Sequence, residues 1–424
     1  MTDAQQSDRI TLASAHSGNV DATLAAEQVC ERIVRVLAPP CDLVLAFFTA
    51  PHVEEVERIS AILRATLRPR CILGVSAESV LAGDIEAERV PGLAVLAARM
   101  PNVEIVPFTD RQVLPVDGES DEGLGRLAAG AGFAEDMRAT FLFVDPFSVP
   151  LLNLLPALNR ARPIITPAPI LGGVASATTT AGGNRLIFND RITNSGLVGV
   201  TLRGPIRVDP IVSQGCRAVG PNFIVTKARK NLILELSGRP ALQVVQEVAS
   251  SLSEHDQSLL QSKGVLLGRV INEYKDRFGR DDYLIRAITG AEESHRAIAV
   301  NDFIAVGRTV RFHLRDSRTA DEDLAMVLDA QKLHGPPAGA LLITCNGRGT
   351  RLFDKPHHDA RAITRAFRLP LPAAEAAKGG HPISADDHSF PLAGFFAAGE
   401  IGPVGTENHL HGHTAVAALF RAHT

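Results

Sequence analysis

Aromatic residues and cysteines are scarce in this chain of 424 residues. Tryptophan is absent, tyrosine occurs twice, and the five cysteines show no CxxC spacing. The shortage of aromatic side chains argues against the stacking platforms on which proteins hold single-stranded nucleic acid. An odd number of scattered cysteines in a long chain favours reduced thiols in the cytosol over a disulfide framework.

An excess of charge and long apolar runs are also missing. The formal net charge is only −4, which gives no sign of a nucleic-acid or membrane-surface partner. No apolar stretch approaches the roughly 20 residues of a membrane-spanning helix, and the polar N-terminus lacks the apolar core of a signal peptide. We therefore expect a cytoplasmic protein that engages neither nucleic acid nor membrane.

The chain does contain ample apolar sequence, 45% of residues against 21% charged, which is enough for a sizeable core. Three segments repeat one pattern: an apolar strand, a loop, a helix, a returning strand, and a final loop of small and polar residues. The segments begin at Leu43, Thr140 and Ala340. The pattern predicts repeated strand–helix–strand units whose binding site is built from the loops that follow the strands.

Other stretches predict strands outside these units. Residues 186–207 and 211–236 are divided by glycine and proline turns into consecutive strands, and residues 310–315 alternate apolar and cationic side chains. We expect the cationic face of the latter to meet solvent or a partner. The predicted fold class is α/β or α+β, with two lobes of mixed β-sheets flanked by helices. Residues 368–391 are predicted to form a mobile connection.

The loop at residues 345–349 is the strongest site candidate. Its small and amide residues let a ligand approach the backbone, and the planar guanidinium of Arg348 suits a carboxylate or phosphate. A thiol beside a guanidinium makes Cys345 a candidate nucleophile, although no partner histidine can be placed from the sequence. The alternative is a tight loop around a packed cysteine, with Arg348 in a structural ion pair.

Glu400 follows the returning strand of the same unit and is flanked by glycines, Gly402 among them. A carboxylate there suits an ammonium group, so Arg348 and Glu400 together would form a bipolar site for an amino acid. The alternative is an ion pair between the two residues without a ligand. In the first unit, Ser76 and Glu78 form a second candidate cluster with Thr49 and His52. The favoured alternative is that Thr49 caps a helix and Glu78 is a surface residue.

Three alternating histidines, His409, His411 and His413, lie near the C-terminal end. On a strand they would share a face, which is a conceivable metal site, whereas on a helix they would not converge. The favoured alternative is a loop or the entry to a helix, without a metal. We therefore predict no metal and no cofactor.

The order and spacing of these motifs resemble those of the FIST family, over residues 11 to 420 or so. The N-terminal domain of that family is matched by VSAE at 75–78, GGVAS at 172–176, and ND at 189–190 followed by NSG at 194–196. The C-terminal domain is matched by DYLIR at 282–286, CNGRG at 345–349, GEIGP at 399–403 and NHLHGHT at 408–414. The resemblance implies two domains, at residues 11–235 and 236–424.

The resemblance also implies a cytoplasmic sensory protein that binds a small molecule, with amino acids as the suggested class, and that acts with a signalling protein. The ligand-binding residues predicted on this basis are Cys345, Asn346, Arg348, Gly349, Glu400, Gly402, Asn408, His411, Ser76 and Glu78. No catalytic set is complete in the sequence, so no catalytic residue is predicted. The alternatives are an uncharacterised enzyme that uses Cys345 or the C-terminal histidine cluster, and a scaffold for a protein partner.

Overall fold

The computed structural model describes residues 9–163, 167–368 and 390–423. These residues form two compact units. Unit 1 consists of Met1–Val212, Ala325–Leu410 and Ala415–Thr424, and unit 2 of Ser213–Leu324 and His411–Thr414. The predicted mobile connection lies almost wholly outside the described residues.

The strands are numbered in chain order. They are β1 (Thr11–Ser17), β2 (Leu43–Thr49), β3 (Cys71–Ala77), β4 (Ser79–Ala82), β5 (Ile85–Glu88), β6 (Leu93–Arg99), β7 (Glu104–Thr109), β8 (Met137–Val144), β9 (Ile170–Val174), β10 (Leu186–Phe188), β11 (Arg191–Thr193), β12 (Leu197–Arg203), β13 (Ile206–Gln214), β14 (Cys216–Arg229), β15 (Leu232–Leu236), β16 (Arg239–Pro240), β17 (Val265–Val270), β18 (Tyr283–Glu292), β19 (Ala297–Val300), β20 (Thr309–Arg315), β21 (Gly339–Cys345), β22 (Leu392–Ala397), β23 (Glu400–Val404), β24 (Glu407–His411) and β25 (Thr414–Ala422).

The helices are numbered in the same way. They are α1 (Ala22–Val36), α2 (Val56–Leu67), α3 (Asp110–Val113), α4 (Asp121–Gly130), α5 (Leu151–Ala161), α6 (Ala241–Ser250), α7 (Glu254–Lys263), α8 (Ser317–Lys332) and α9 (His358–Phe367), with 3₁₀ turns at Ala50–Glu55, Arg280–Asp282 and Gly349–Arg351. Across the described ranges, none of these helices combines the length and the apolar character needed to cross a bilayer.

Three parallel strand pairs, each joined by a helix, form the frame of unit 1. β2 pairs with β3 around α2, β8 with β9 around α5, and β21 with β22 around α9. Their sheets have the orders β1-β6-β2-β3-β10-β11, β24-β23-β9-β8-β12-β7 and β13-β25-β21-β22-β4-β5. The predicted strand–helix–strand units and the mixed sheets are both confirmed, because antiparallel neighbours flank every parallel pair.

The sequence of these strands explains their position. All seven residues of β2 are buried, as expected for an apolar strand covered on both faces. Phe47, Phe143 and Phe395 come from three different strand pairs, and their ring centroids lie 5.2, 5.7 and 5.8 Å apart. The three pairs therefore share one aromatic core.

The sequence predicts loops at residues 74–78, 172–176 and 399–403, but strands occupy a large part of each. β3 runs through Ala77, β9 occupies Ile170–Val174, and β23 begins at Glu400. A Cβ on Gly74 would lie 2.8 Å from the carbonyl oxygen of Ala46 on the neighbouring strand, and a Cβ on Gly172 or Gly394 would lie closer still to its own neighbour. Glycine in these motifs thus permits close contact between two strands, a role that the sequence does not distinguish from loop formation.

Unit 2 is built around a closed antiparallel sheet. The strands follow the order β14-β20-β17-β18-β19-β15, and β15 pairs again with β14. Val310 and Phe312 of β20 point into the apolar core of this unit. The expectation of an exposed cationic face on β20 is wrong at His313, which is only 2% exposed. Its ring fits beside Gly268, where a Cβ would lie 2.3 Å from the ring carbon Cε1.

Candidate functional site

Hydrogen bonds tie together the ends of the three strand pairs in unit 1. The backbone N–H of Ser176 donates to the carbonyl oxygen of Ser76 at 3.2 Å, and its hydroxyl donates to the carbonyl oxygen of Phe396 at 2.5 Å. The N–H of Asn346 donates to the carbonyl oxygen of Ala397 at 3.0 Å. The fold therefore brings Ser76 and Asn346, which belong to two different strand–helix–strand segments, to one region.

Glu78 joins the same region through a partly exposed ion pair. Its carboxylate accepts two hydrogen bonds from Arg351, at 2.7 and 2.8 Å, and Arg351 also donates to the carbonyl oxygen of Asn346 at 2.9 Å. The N–H of Glu78 donates to the hydroxyl of Ser176. Glu78 and the loop at 345–349 are thus neighbours, although they are distant in sequence.

Arg348 lies in that loop and is fully buried. Its Nε and Nη2 donate to the two carboxylate oxygens of Asp359 at 2.7 and 2.8 Å. The hydroxyl of Thr344 donates to the same carboxylate at 2.9 Å, and Nδ1 of His358 lies 3.0 Å from it. The ion pair that was considered between Arg348 and Glu400 is therefore made with Asp359, which the first turn of α9 places beside the loop.

The charges in this cluster are set by burial and by their mutual distances. Burial favours a high pKa for Asp359, but the Arg348 guanidinium holds that pKa below its usual range. Glu86, on β5, accepts a hydrogen bond from the N–H of Ala360 at 2.9 Å. Burial, and then repulsion from Asp359, raises the pKa of Glu86 to about 8. At neutral pH, Glu86 is therefore mainly protonated beside a charged arginine–aspartate pair.

Three buried polar atoms here have no hydrogen-bond partner among the residues that the structure describes. They are Nη1 of Arg348, Oδ1 of Asn346 and Oε2 of Glu86. An unsatisfied buried polar atom costs about 1–3 kcal/mol. One of these atoms is a donor, one is an acceptor, and the third belongs to a carboxyl group, so together they are suited to a ligand that has both donors and acceptors.

The remaining residues of the loop regions have packing roles that are visible in the fold. Glu400 is buried and pairs with Gly173 of β9, so it lies at the same strand ends. Gly349 has a φ of +57°, and a Cβ there would lie 2.7 Å from the carboxylate of Glu88. A Cβ on Gly402 would lie 3.0 Å from Val416, so this glycine provides close strand packing.

Asn408 lies at the other end of β9. Its Oδ1 accepts a hydrogen bond from the N–H of Ile170 at 2.8 Å, and its Nδ2 donates to Asn159. Because Ile170 begins β9 and Ser176 follows the end of that strand, Asn408 is not brought to the cluster. His411 belongs to unit 2 and is buried there.

Metal and thiol chemistry were considered for the same motifs. Over the ranges described above, no three His, Cys, Asp or Glu side chains are grouped so that they could hold a metal ion. Cys345 is nearly buried, takes part in no disulfide, and its Sγ lies 3.4 Å from the donating N–H of Gly347. Burial raises the pKa of the Cys71 thiol to about 12 and that of Cys41 to about 11.

Sequence reasoning missed Glu86, Asp359 and Arg351 as members of the cluster. The sequence predicts a helix over residues 359–367, in which Asp359 is only the first residue. The strand that holds Glu86 has buried residues at two adjacent positions, so no alternation marked this acid as buried. An acid at the start of a helix that closely follows a predicted arginine loop is a signal that could have found Asp359.

Comparison with known families identifies the class of this protein. The model of the FIST N domain matches residues 42–239, and the model of the FIST C domain matches residues 241–403. The chain therefore belongs to the FIST family, whose domains are associated with sensory signal transduction. The domain limits predicted from the sequence, 11–235 and 236–424, remain a prediction. The two compact units do not follow these limits, because each unit consists of separate stretches of the chain.

The chain is similar to two mycobacterial proteins over most of its length. It is 38% identical over 374 residues to the uncharacterized protein Rv0628c of Mycobacterium tuberculosis, covering 87% of this chain and 88% of that one. It is 37% identical over 375 residues to the uncharacterized protein Mb0898c of Mycobacterium bovis, covering 86% and 87%. A cyanuric acid hydrolase from A. caulinodans is 10% identical, with a TM-score of 0.33 over 98% of this chain and 100% of that chain, a likeness that carries no argument.

Proposed function

We propose that this protein is a cytoplasmic sensory protein that binds a free amino acid at the strand ends of unit 1. The observation that carries the proposal is the set of three unsatisfied buried polar atoms on Arg348, Asn346 and Glu86. Membership of the FIST family supports the sensory part of the proposal. Five cysteines without a disulfide are in keeping with a reducing compartment.

The chemistry of the three atoms matches an amino acid zwitterion. Nη1 of Arg348 is a charged donor for the α-carboxylate, and such bonds are stronger than neutral ones. Oδ1 of Asn346 is an acceptor for the ammonium group, and Oε2 of the protonated Glu86 carboxyl is a second donor for the carboxylate, because Oε1 accepts the hydrogen bond from Ala360. Ser76, Glu78, Cys345, Gly349 and Glu400 would complete the walls of the site.

The arginine is already fixed before any ligand binds. Two of its three nitrogens are held by Asp359, at 2.7 and 2.8 Å, so the third nitrogen points in a defined direction. Binding to a fixed donor costs less conformational entropy than binding to a flexible side chain, which must first become ordered. This preorganisation favours recognition of a small molecule, and the signal would pass to a signalling protein that reads the liganded state.

A thermal-shift screen of the full chain tests the proposal. The compounds are the standard amino acids, together with the amine and the carboxylic acid that correspond to each hit. A true ligand at a hundredfold excess over its Kd adds about 2.7 kcal/mol to the free energy of unfolding. We expect stabilisation by at least one amino acid and little by either half-molecule, because each lacks one of the two charged groups.

Asn346→Ala is the matching variant, and Asn153→Ala, at an exposed position on α5, is its control. We expect the first to lose most of the stabilisation and the second to keep it. If no amino acid stabilises the wild type, or if Asn346→Ala responds like Asn153→Ala, the proposed site is wrong.

A further inference from the structure

Unit 2 contains a cavity of about 280 Å³ that is lined by none of the predicted ligand-binding residues. Three arginines line it: Arg217 from β14, Arg280 from the 3₁₀ turn before β18, and Arg311 from β20. The cavity also has an aromatic wall, formed by Phe278 and Tyr283, whose ring centroids lie 6.0 Å apart at an angle of 68°.

The strand register explains why these side chains meet. Arg311 and His313 are two residues apart on β20, so they project from the same face, opposite the core residue Phe312. His313 faces Ala218 across the pairing with β14, and both line the cavity. The cavity is therefore a feature of the face of the sheet that points away from the main core of the unit.

The three arginines differ in how their charges are compensated. Arg217 forms ion pairs with Asp256 and Asp316, and Arg280 contacts Asp323 at 3.1 Å. Arg311 forms an ion pair with no carboxylate in the part of the chain that the structure describes. The three aspartates are not among the residues that line the cavity, so its wall carries an excess of positive charge.

Arg311 is nevertheless held in place. Its Nε donates to the carbonyl oxygen of Gly220 at 2.8 Å, where β14 is interrupted by a bulge and Gly220 has a φ of +62°. Bulges of this kind redirect side chains and are common beside binding sites. The contact orients the guanidinium, while Nη1 and Nη2 make no hydrogen bond to the described residues and are available for a bidentate contact with an acid group.

The rest of the wall is neutral and apolar. Nδ1 of His313 donates to the carbonyl oxygen of Arg311 at 3.0 Å, since a carbonyl oxygen can only accept. The Tyr283 ring packs edge-on against His313 at 4.9 Å, and its hydroxyl donates to Asn222. The cavity thus combines a fixed cation with aromatic surface, at the small end of the volumes that ligand sites show.

We propose that this cavity binds a small organic anion, in which one carboxylate or phosphate group contacts Arg311 and a compact apolar or aromatic body packs against Phe278 and Tyr283. The ligand class differs from the amino acid of the proposed unit 1 site, because the cavity wall offers no carboxylate to an ammonium group. The inference does not depend on the proposed function.

The test is isothermal titration calorimetry of the full chain with benzoate, phenyl phosphate, inorganic phosphate and benzamide. We expect benzoate or phenyl phosphate to bind, and the tighter of the two identifies the preferred acid group. Benzamide, which keeps the ring without the charge, should bind at least about tenfold more weakly, since hydrogen bonds to a charged acceptor are stronger than those to a neutral one. Binding should also weaken as salt is added.

Arg311→Gln should weaken binding of the better probe by at least about tenfold for the same reason. Arg318→Gln, at an arginine whose side chain is 87% exposed in the same unit, is the control and should bind normally. Unchanged melting temperatures of both variants show that they are folded. Arg311→Lys is a second variant, which keeps the positive charge but lacks the planar guanidinium with its two terminal nitrogens.

Three results would overturn the proposal. These are the absence of binding by both organic anions, equal affinity for benzoate and benzamide, and equal affinity of Arg311→Gln and Arg318→Gln. Inorganic phosphate that binds as tightly as phenyl phosphate would overturn it too, because the aromatic wall would then contribute nothing. An amino acid response that persists in Arg311→Gln separates this cavity from the unit 1 site.

Discussion

Arg348 in unit 1 and Arg311 in unit 2 carry the same charge, but the protein compensates these two charges very differently. Arg348 is fully buried and makes a two-pronged ion pair with Asp359. Arg311 is only partly buried and is held by a single hydrogen bond to a backbone carbonyl. One charge is compensated by a buried carboxylate, and the other forms an ion pair with no carboxylate among the described residues.

The difference shows how burial decides what a charge can do. A charge without access to water must be paired, because the desolvation of an isolated ion costs far more than its pairing. In unit 1, this ion pair occupies two nitrogens of Arg348. Only the third nitrogen, Nη1, remains as a single hydrogen-bond donor for a ligand. Partly exposed Arg311 has a smaller desolvation cost, and its two terminal nitrogens make no hydrogen bond to the described residues.

The largest expected effect comes from breaking the buried pair. Arg348→Met leaves the Asp359 carboxylate buried without its cation, and we expect a loss of about 3–5 kcal/mol in the free energy of unfolding, measured by urea denaturation. Arg311→Met should lose much less, because no carboxylate is abandoned.

The double variant Arg348→Met, Asp359→Leu removes both charges and should recover a large part of the loss. Equal destabilisation by Arg348→Met and Arg311→Met would contradict the comparison between the two arginines.

The second expected effect is a pH dependence that originates in unit 1. The pKa of Glu86 is raised to about 8 in the folded protein, from 4.5 for an ordinary glutamate, with Asp359, Glu88 and His358 as its charged neighbours. Its contribution to stability is therefore complete below about pH 4.5 and is lost as the pH rises toward 8, at up to about 1.4 kcal/mol per pH unit.

Urea denaturation at a series of pH values measures this slope. Glu86→Gln should flatten it, because the amide cannot ionise, while Glu57→Gln, at an exposed helix position, should leave it unchanged. A slope that survives in Glu86→Gln would mean that another group titrates.

The smallest of the expected effects concerns the wall of the unit 2 cavity. A Cβ on Gly268 would lie 2.3 Å from Cε1 and 2.6 Å from Nδ1 of His313, whereas a Cβ on Gly290 would meet nothing within 4 Å. Gly268→Ala should therefore cost about 1–3 kcal/mol through overpacking.

Gly290→Ala is the matched control in the same unit and should stay within about 0.5 kcal/mol of the wild type. Thermal unfolding measures both variants. Equal stability of the two would show that His313 can move away without cost and that the cavity wall is not rigid.

The backbone frame was far easier to predict than the contacts of the site. A continuous apolar run such as residues 43–48 indicates a strand that is buried on both faces. Strand, helix and returning strand could therefore each be predicted from neighbouring residues alone. The limits of β3, β9 and β23 were less accurate, since glycine at positions 74 and 172 is compatible with a loop and with a tightly packed strand. The contacts of the charged groups depend on distant residues: Glu86 is hydrogen-bonded to the backbone of Ala360, 274 positions away, and Glu78 forms an ion pair with Arg351, 273 positions away.

The sequence by itself determined the three strand–helix–strand units and the membership of the FIST family, because apolar periodicity and short motifs are local properties of a chain. Only the tertiary structure decided that Arg348 is paired with Asp359, that Glu86 is protonated at neutral pH, and that His313 is buried while Arg311 is only partly buried. The physical reason is that pKa values and ion pairs follow from burial and from distances between charges. Those distances are fixed only when strands that are far apart in sequence come to share one sheet or one core.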